Sequence, residues 1–279
     1  MAPTMHERAL PMPAATAKAT EEATEKATEP QAAQRDDARQ SRVGLTLAAI
    51  IITAWFVLHV GLMFFWPLTW TSLAPALPLV LLQTWLYVGL FIIAHDCMHG
   101  SLVPFKPRVN RRIGQLCLFL YAGFSFDALN VEHHKHHRHP GTADDPDFDE
   151  VPPHGFWRWF MGFFLHYFGW PQVAIIAAVS LVYQLVFAVP LGNILLFWAL
   201  PGLLSALQLF TFGTYLPHKP GAQPFVDRHN ARTSEFPVWL SLLTCFHFGF
   251  HHEHHLHPDA PWWRLPEVKR RAVAAGSGR

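Results

Sequence analysis

Residues 73–99 read Leu73-Ala-Pro-Ala-Leu-Pro-Leu-Val-Leu-Leu-Gln-Thr-Trp-Leu-Tyr-Val-Gly-Leu-Phe-Ile-Ile-Ala94-His95-Asp-Cys-Met-His99. Through Ala94 the run holds no Asp, Glu, Lys or Arg. At 1.5 Å per residue a helix of this length crosses a hydrocarbon core of about 30 Å. It ends in two histidines at i and i+4, a spacing that puts both imidazoles on one helix face. The stretch therefore predicts a membrane helix whose end carries metal ligands.

Three further apolar runs, Val43 to Trp66, Val173 to Val189 and Ile194 to Leu216, read the same way. All are expected to be helices, because a lone strand in lipid leaves its backbone groups unsatisfied. Short links free of Lys and Arg join the first run to the second and, through Pro190 to Asn193, the third to the fourth. The remaining loops hold Lys106, Arg108, Arg111, Arg112, Lys135 and Arg138, then Lys219, Arg228, Arg232, Arg264, Lys269, Arg270 and Arg271. By the positive-inside rule those loops and both termini are cytoplasmic. Ile113 to Leu129 is at the short limit for a span and would split the histidines between two sides, so an interfacial or re-entrant helix is expected there. Phe156 to Phe168, rich in Trp and Phe, reads alike. The expected fold is an all-α integral membrane protein with four transmembrane helices in two hairpins, interfacial helices and a cytoplasmic histidine-rich cap. Residues 1–42, rich in Ala, Thr, Glu, Lys and Gln, read as a disordered tail. Residues 43–270 form the membrane domain, and 271–279 a C-terminal tail.

Composition agrees: 51% of the residues are hydrophobic and 15% charged, against roughly 25% charged in an ordinary soluble domain. A net charge of +1 gives no argument for nucleic acid. Cys97, Cys117 and Cys245 form no CxxC pair and read as reduced packing residues. The 19 histidines are the anomaly.

Three clusters collect them: His95-Asp-Cys-Met-His99, His133-His-Lys-His136-His137 and His251-His-Glu-His254-His255. Spacings of i, i+3 and i+4 place His133, His136 and His137 on one face, and likewise His251, His254 and His255. Together with His95 and His99 these are too many for one zinc, which takes four ligands, so two metals fit better. Imidazole suits Zn, Cu, Fe and Ni alike. An HExxH protease motif fails, since Leu256 stands where its second histidine belongs. A single HxxxH would suit histidines snorkelling at the membrane surface or a regulatory metal; three clusters on one side argue against both. His134 and His252 lie about 100° off the ligand faces. His247, four before His251, would extend that face, and His218 after the fourth run returns to the same end as a ninth ligand. Ligating imidazoles usually donate their other N–H to a carboxylate or carbonyl. Asp96, Asp127 and the run Asp144-Asp145-Pro-Asp147 are the candidates.

With these clusters the chain resembles the membrane fatty-acid desaturase and hydroxylase superfamily, whose boxes read HX3-4H, HX2-3HH and HX2-3HH. Within it the chain is most similar to the bacterial β-carotene ketolase family, on Phe91-Ile-Ile-Ala-His95-Asp-Cys-Met-His99, His136-His-Arg-His-Pro-Gly-Thr-Ala-Asp-Asp-Pro-Asp-Phe148, Phe212-Gly-Thr-Tyr-Leu-Pro-His218, Asp227-Arg-His-Asn-Ala-Arg232 and Leu242-Leu-Thr-Cys-Phe-His-Phe-Gly-Phe-His-His-Glu-His-His-Leu-His-Pro258. The likeness covers about 43 to 270. The family often has a small residue where Cys97 stands and a second Gly in the Phe248-Gly-Phe250 stretch, departures that leave the boxes intact.

The resemblance implies two iron ions, O2 as cosubstrate, and ketolation of C4 of a β-ionone ring by two successive hydroxylations and loss of water. β-Carotene would pass through echinenone to canthaxanthin, and zeaxanthin to astaxanthin if 3-hydroxylated rings are accepted. No GxGxxG site is present, so electrons come from a separate donor such as reduced ferredoxin. The implied setting is a bacterial inner (cytoplasmic) membrane, with a carotenoid entering from the bilayer. Phe124, Phe126 and Trp262 line its path or belong to an interfacial aromatic belt. A carotenoid 3-hydroxylase and a fatty-acyl desaturase or hydroxylase share the boxes, and a metal transporter is the reading from another class. A transporter, however, keeps its polar groups near the membrane midplane.

Overall fold

The computed structural model describes residues 14–276, with side chains from residue 34 onward. All regular structure among them is helical. Helix α1 is Ala14–Val60 and continues through a π turn, Gly61–Phe65. Then come α2, Leu73–His99; α3, Pro107–Ala122; α4, Phe126–Arg138; α5, Phe156–Tyr167; and α6, Trp170–Leu185. Helix α7 runs Leu191–His218, with π turns at Leu195–Ala199 and Phe210–Tyr215. Three short helices finish the chain: α8, Val238–Cys245; α9, His251–Leu256; and α10, Leu265–Gly276.

Three segments are long and apolar enough to cross a membrane: Gln34–Phe65, Trp70–His99 and Leu191–His218. The expected span at Val173 to Val189 differs. Its helix α6 has 16 residues, about 24 Å at 1.5 Å per residue. It reaches membrane length only with α5, across a 76° bend. The interfacial segment expected from Ile113 to Leu129 is two helices. Gly123, at φ 70°, ends α3 in the left-handed region that favours glycine, and Ser125 accepts the Ala128 N–H to start α4. Phe156 to Phe168 forms a helix where expected.

Helix α2 is the centre of the molecule. Leu86, Val88, Leu90, Ile92 and Ile93 are buried on all its faces, the pattern of a helix surrounded by others. Lipid is as apolar as a leucine side chain, so close packing rather than water release holds such helices together. Gly89 permits that closeness: a Cβ there would stand 2.8 Å from Ile51 Cγ2 on α1 and 2.8 Å from Phe246 Cζ. At the other end, Asn193 donates to the carbonyls of Leu62 and Trp66 at 2.9 and 3.0 Å, clipping the start of α7 to the end of α1.

The expected tail at 1–42 falls partly outside the described residues. From Ala14 the backbone is helical, and Asp36 and Gln40 accept from Arg264 Nη1 at 2.8 and 2.9 Å. Gln40 also donates to Ser101 O at 2.7 Å. Helix α10 likewise continues past residue 271 to Gly276.

Candidate metal centre

The end of α2, all of α4, the end of α7 and α9 converge at one end of the bundle and bring nine histidines together. They form two groups. His95, His99, His133, His137 and His254 make one; His136, His218, His251 and His255 make the other, with the ligand atoms of each within 4.8 Å of one another. All nine expected ligand positions are included, and neighbours in sequence divide between the groups: His136 from His137, and His255 from His254.

Ring nitrogens face each other directly. His99 Nε2 lies 2.7 Å from His133 Nε2, His254 Nε2 3.0 Å from His137 Nε2, and His255 Nε2 3.1 Å from His251 Nε2 and 3.3 Å from His136 Nε2. Burial, with the neighbouring imidazoles, lowers the pKa of His133, His137, His251, His254 and His255. Neutral imidazole has one N–H and one lone pair, so each facing pair of ring nitrogens spends one of each, and with this many rings gathered some nitrogens are left over. Both nitrogens of His95 and Nε2 of His218 are buried with no hydrogen-bond partner. Converging, dry lone pairs are what a cation requires, so the residues fit a metal centre.

Supports outside the rings agree. His136 Nδ1 donates to Asp145 Oδ1 at 2.9 Å, and Asp145 in turn accepts N–H groups from Gly141 at 2.7 Å and Asp147 at 2.9 Å. His218 Nδ1 donates to Asn230 O at 2.8 Å. Each bond turns Nε2 inward, the usual arrangement of a metal-ligating histidine. Burial alone would lower the pKa of His136, but the bond to Asp145 and the charges of Asp147 and Asp145 raise it. Burial would raise that of Asp145, and the His136 bond and charge with the two N–H donors lower it instead. The pair is thus held as an ion pair or a strong hydrogen bond.

The two carboxylates expected at the site lie differently. Asp127 is on the surface, gripped by Arg111 Nε at 2.9 Å and Nη2 at 2.6 Å, and touches no histidine of either group. It sits in the first turn of α4, more than a full turn before His133, and Arg111 on α3 claims it. Asp96 Oδ1 is 3.8 Å from His95 Nδ1, too far for a hydrogen bond, and its Oδ2 accepts the Trp262 N–H at 3.3 Å. His247 stays out of both groups, because Phe246 and His247 take left-handed φ of 45° and 66° and break the helical face it was expected to extend. His134 bonds to Asn130 O and His252 to Asp227, each at 2.8 Å.

An apolar cavity of about 570 Å³ opens beneath the imidazoles. His95 and His133 of one group and His136 and His251 of the other line it, with Phe124 and Leu120 close by. Phe126 and Trp262 lie outside that lining: Phe126 packs over Gly114, and Trp262 against Phe246, ring centroids 5.1 Å apart.

A fatty acid desaturase family profile matches residues 68–178 and 170–278, a region holding every histidine of the two groups. The beta-carotene ketolase of Paracoccus sp. strain N81106 is 49% identical over 83% of this chain and 94% of its own length. That of Paracoccus sp. strain PC1 is 49% identical over 82% and 93%, and the zeaxanthin 4-ketolase of Chlamydomonas reinhardtii 39% identical over 84% and 54%. Imidazole groups and this membership together fit iron. The chain is a membrane protein that belongs to the fatty acid desaturase family, within its beta-carotene ketolase group.

Proposed function

We propose that the protein is an oxygenase that holds one iron ion in each histidine group and converts the C4 methylene of a carotenoid β-ionone ring to a ketone. The observation that carries the reading is the shared wall: both imidazole groups line one apolar cavity. A hydrocarbon ring seated there meets both metal positions at once, and no water-filled channel is needed to bring it.

Iron bound at the imidazoles supplies O2 reduction and removal of a hydrogen from the ring. The protein's own residues do the rest. His95, His99, His133, His137 and His254 hold one ion, and His136, His218, His251 and His255 the other. Asp145 and the Asn230 carbonyl fix two of the rings; Phe124 and the aliphatic wall hold the substrate ring and exclude water. Each hydroxylation consumes one O2, two electrons and two protons and releases one water. The second at the same carbon gives a geminal diol, which loses water to leave the ketone. The electrons come from a soluble donor of the ferredoxin type. In the bacterial inner membrane the Lys- and Arg-rich loops and both termini face the cytoplasm, where that donor resides, and α5 with α6 forms a bent fourth crossing.

The test is expression in bacteria that accumulate β-carotene, beside His136→Ala. Conversion to echinenone and canthaxanthin, absent in the variant, is the expected result. Unchanged β-carotene in the presence of an iron-loaded protein, or a 3-hydroxylated product, overturns the ketolase reading.

A further inference from the structure

Among the described residues the wall of the apolar cavity holds one carboxylate, Asp147. Tyr167, also on the wall, donates its hydroxyl to Asp147 Oδ1 at 2.5 Å. The backbone on either side is fixed: the Asp147 N–H donates to Asp145 Oδ1 at 2.9 Å, and the Asp147 carbonyl accepts from Trp159 Nε1 at 2.7 Å. The second carboxylate oxygen, Oδ2, stands 3.8 Å from His136 Nδ1, beyond hydrogen-bond range. It accepts no hydrogen bond from any described residue. The side chain is only 13% exposed, so the acceptor is held in place with little water to fill it. A half-spent carboxylate of this kind is unfavourable, and a ligand that supplies an O–H there gains binding.

The neighbours of Oδ2 limit what that ligand is. His136 Nδ1 already donates to Asp145, and Tyr167 has spent its one O–H on Oδ1. Leu129, Phe163 and Phe164 on the same wall have no side-chain donor, and an unoxidised β-ionone ring, a hydrocarbon, has none either. The first oxidation creates one, the hydroxyl on C4. An O–H···O bond spans about 2.7 Å, and a carbon in van der Waals contact with an imidazole lies about 4 Å from it. Oδ2, 3.8 Å from the His136 ring, is therefore within reach of a C4 hydroxyl on a substrate ring seated against that imidazole.

We infer that Asp147, oriented by Tyr167, accepts the hydroxyl that the first oxidation leaves on C4 and holds this intermediate for the second; this rests on the ketolase reading. The oxygen newly bonded to C4 occupies the side that faced the imidazoles. Drawing it aside to Oδ2 turns the remaining C4 hydrogen toward them. The second hydroxylation then proceeds at the same carbon without release of the alcohol. Asp147 forms and breaks no covalent bond in this.

The test measures the Kd of β-carotene, its 4-hydroxy derivative and its 3-hydroxy derivative by quenching of tryptophan fluorescence. It uses purified, iron-loaded protein without reductant, so that nothing turns over, in samples matched for iron content. The unmutated protein is expected to bind the 4-hydroxy compound about 10- to 100-fold more tightly than β-carotene, the worth of a hydrogen bond to a charged group. Asp147→Leu, similar in size and without an acceptor, is expected to lose that preference, and Tyr167→Phe, which frees the carboxylate to turn, to lose part of it. In bacteria that accumulate β-carotene, Asp147→Leu is expected to raise the ratio of 4-hydroxy product to ketone. Equal Kd values for β-carotene and the 4-hydroxy compound in the unmutated protein overturn the inference without recourse to any variant. So does a preference that Asp147→Leu leaves in place, and so does tighter binding of the 3-hydroxy than of the 4-hydroxy compound. A protein that binds the 4-hydroxy compound preferentially but forms no ketone removes the ketolase reading and leaves the recognition of the hydroxyl standing.

Discussion

The two histidine groups differ in how much of their geometry the protein fixes. In the group containing His218, all four rings are buried, His136 is braced by Asp145 and His218 by the Asn230 carbonyl. Asn230 is itself tied down, donating to Pro140 O at 2.8 Å. In the group containing His95, three rings, His99, His133 and His137, are only partly buried. His95 lacks any hydrogen-bond partner on either nitrogen. One group is preorganised by backbone and carboxylate; the other has more nitrogens and less support, so its geometry would depend more on an ion bound there.

Adjacent residues give the sharpest way to break this comparison. His136→Ala leaves the braced group three imidazoles, and His137→Ala leaves the other group four. Both are expected to lower ketolation by at least about 100-fold, beyond the effect typical of outer supports. Metal content should separate them: His136→Ala falls to about half the iron of the unmutated protein, while His137→Ala retains most of it. Equal iron loss in the two variants would show that the groups do not bind independently.

A smaller effect tests the brace alone. Asp145→Asn keeps the size of the side chain and an acceptor for His136 Nδ1 but removes the charge. Iron affinity in a chelator competition is expected to fall about 10- to 100-fold, the usual weight of an outer partner, and only for the group containing His136. Weakened binding in both groups would mean that Asp145 orders the whole end of α4 rather than one ring.

How much of this was legible depends on whether helical periodicity governed the residues concerned. The gathering of the histidines was, because His95 and His99, and the histidines of α4 and α9, lie on helix faces that spacing alone reveals. Their division was not: His136 and His137 are 100° apart on one helix, and which group each enters is set by helices remote in sequence. Asp145 acts from a loop that turns back nine residues after His136, where no period applies. Asn230 works through a backbone carbonyl that any residue supplies. The break at Gly123 had its signals, a glycine followed by Ser125 and Asp127, but the apolar run through it read as one helix. His247 lies outside both groups because two left-handed residues interrupt the face, which spacing does not show. The expected fourth span corresponds to α6, which reaches membrane length only together with α5; hydropathy measures composition and does not see a 76° bend.

The least effect is expected at the other carboxylate. Asp127 stands in the first turn of the histidine helix α4 and Asp145 in the loop after it, and sequence alone offers both as candidates. The first-turn place lets Asp127 favour the positive end of the helix dipole, and its partner Arg111 is, like it, more than half exposed. The Arg111 bond and charge outweigh its slight desolvation and hold its carboxyl below the usual range. An exposed pair of this kind contributes little to stability, since water and salt screen it. Asp127→Asn is therefore expected to leave iron content, product profile and midpoint of thermal unfolding indistinguishable from the unmutated protein, measured beside Asp145→Asn in the same membranes. Loss of iron from the Asp127 variant would mean that the Arg111 clasp, by tying α3 to the start of α4, sets the pitch at which His133 and His137 reach their group, and that the less supported centre has a brace after all, placed a helix away.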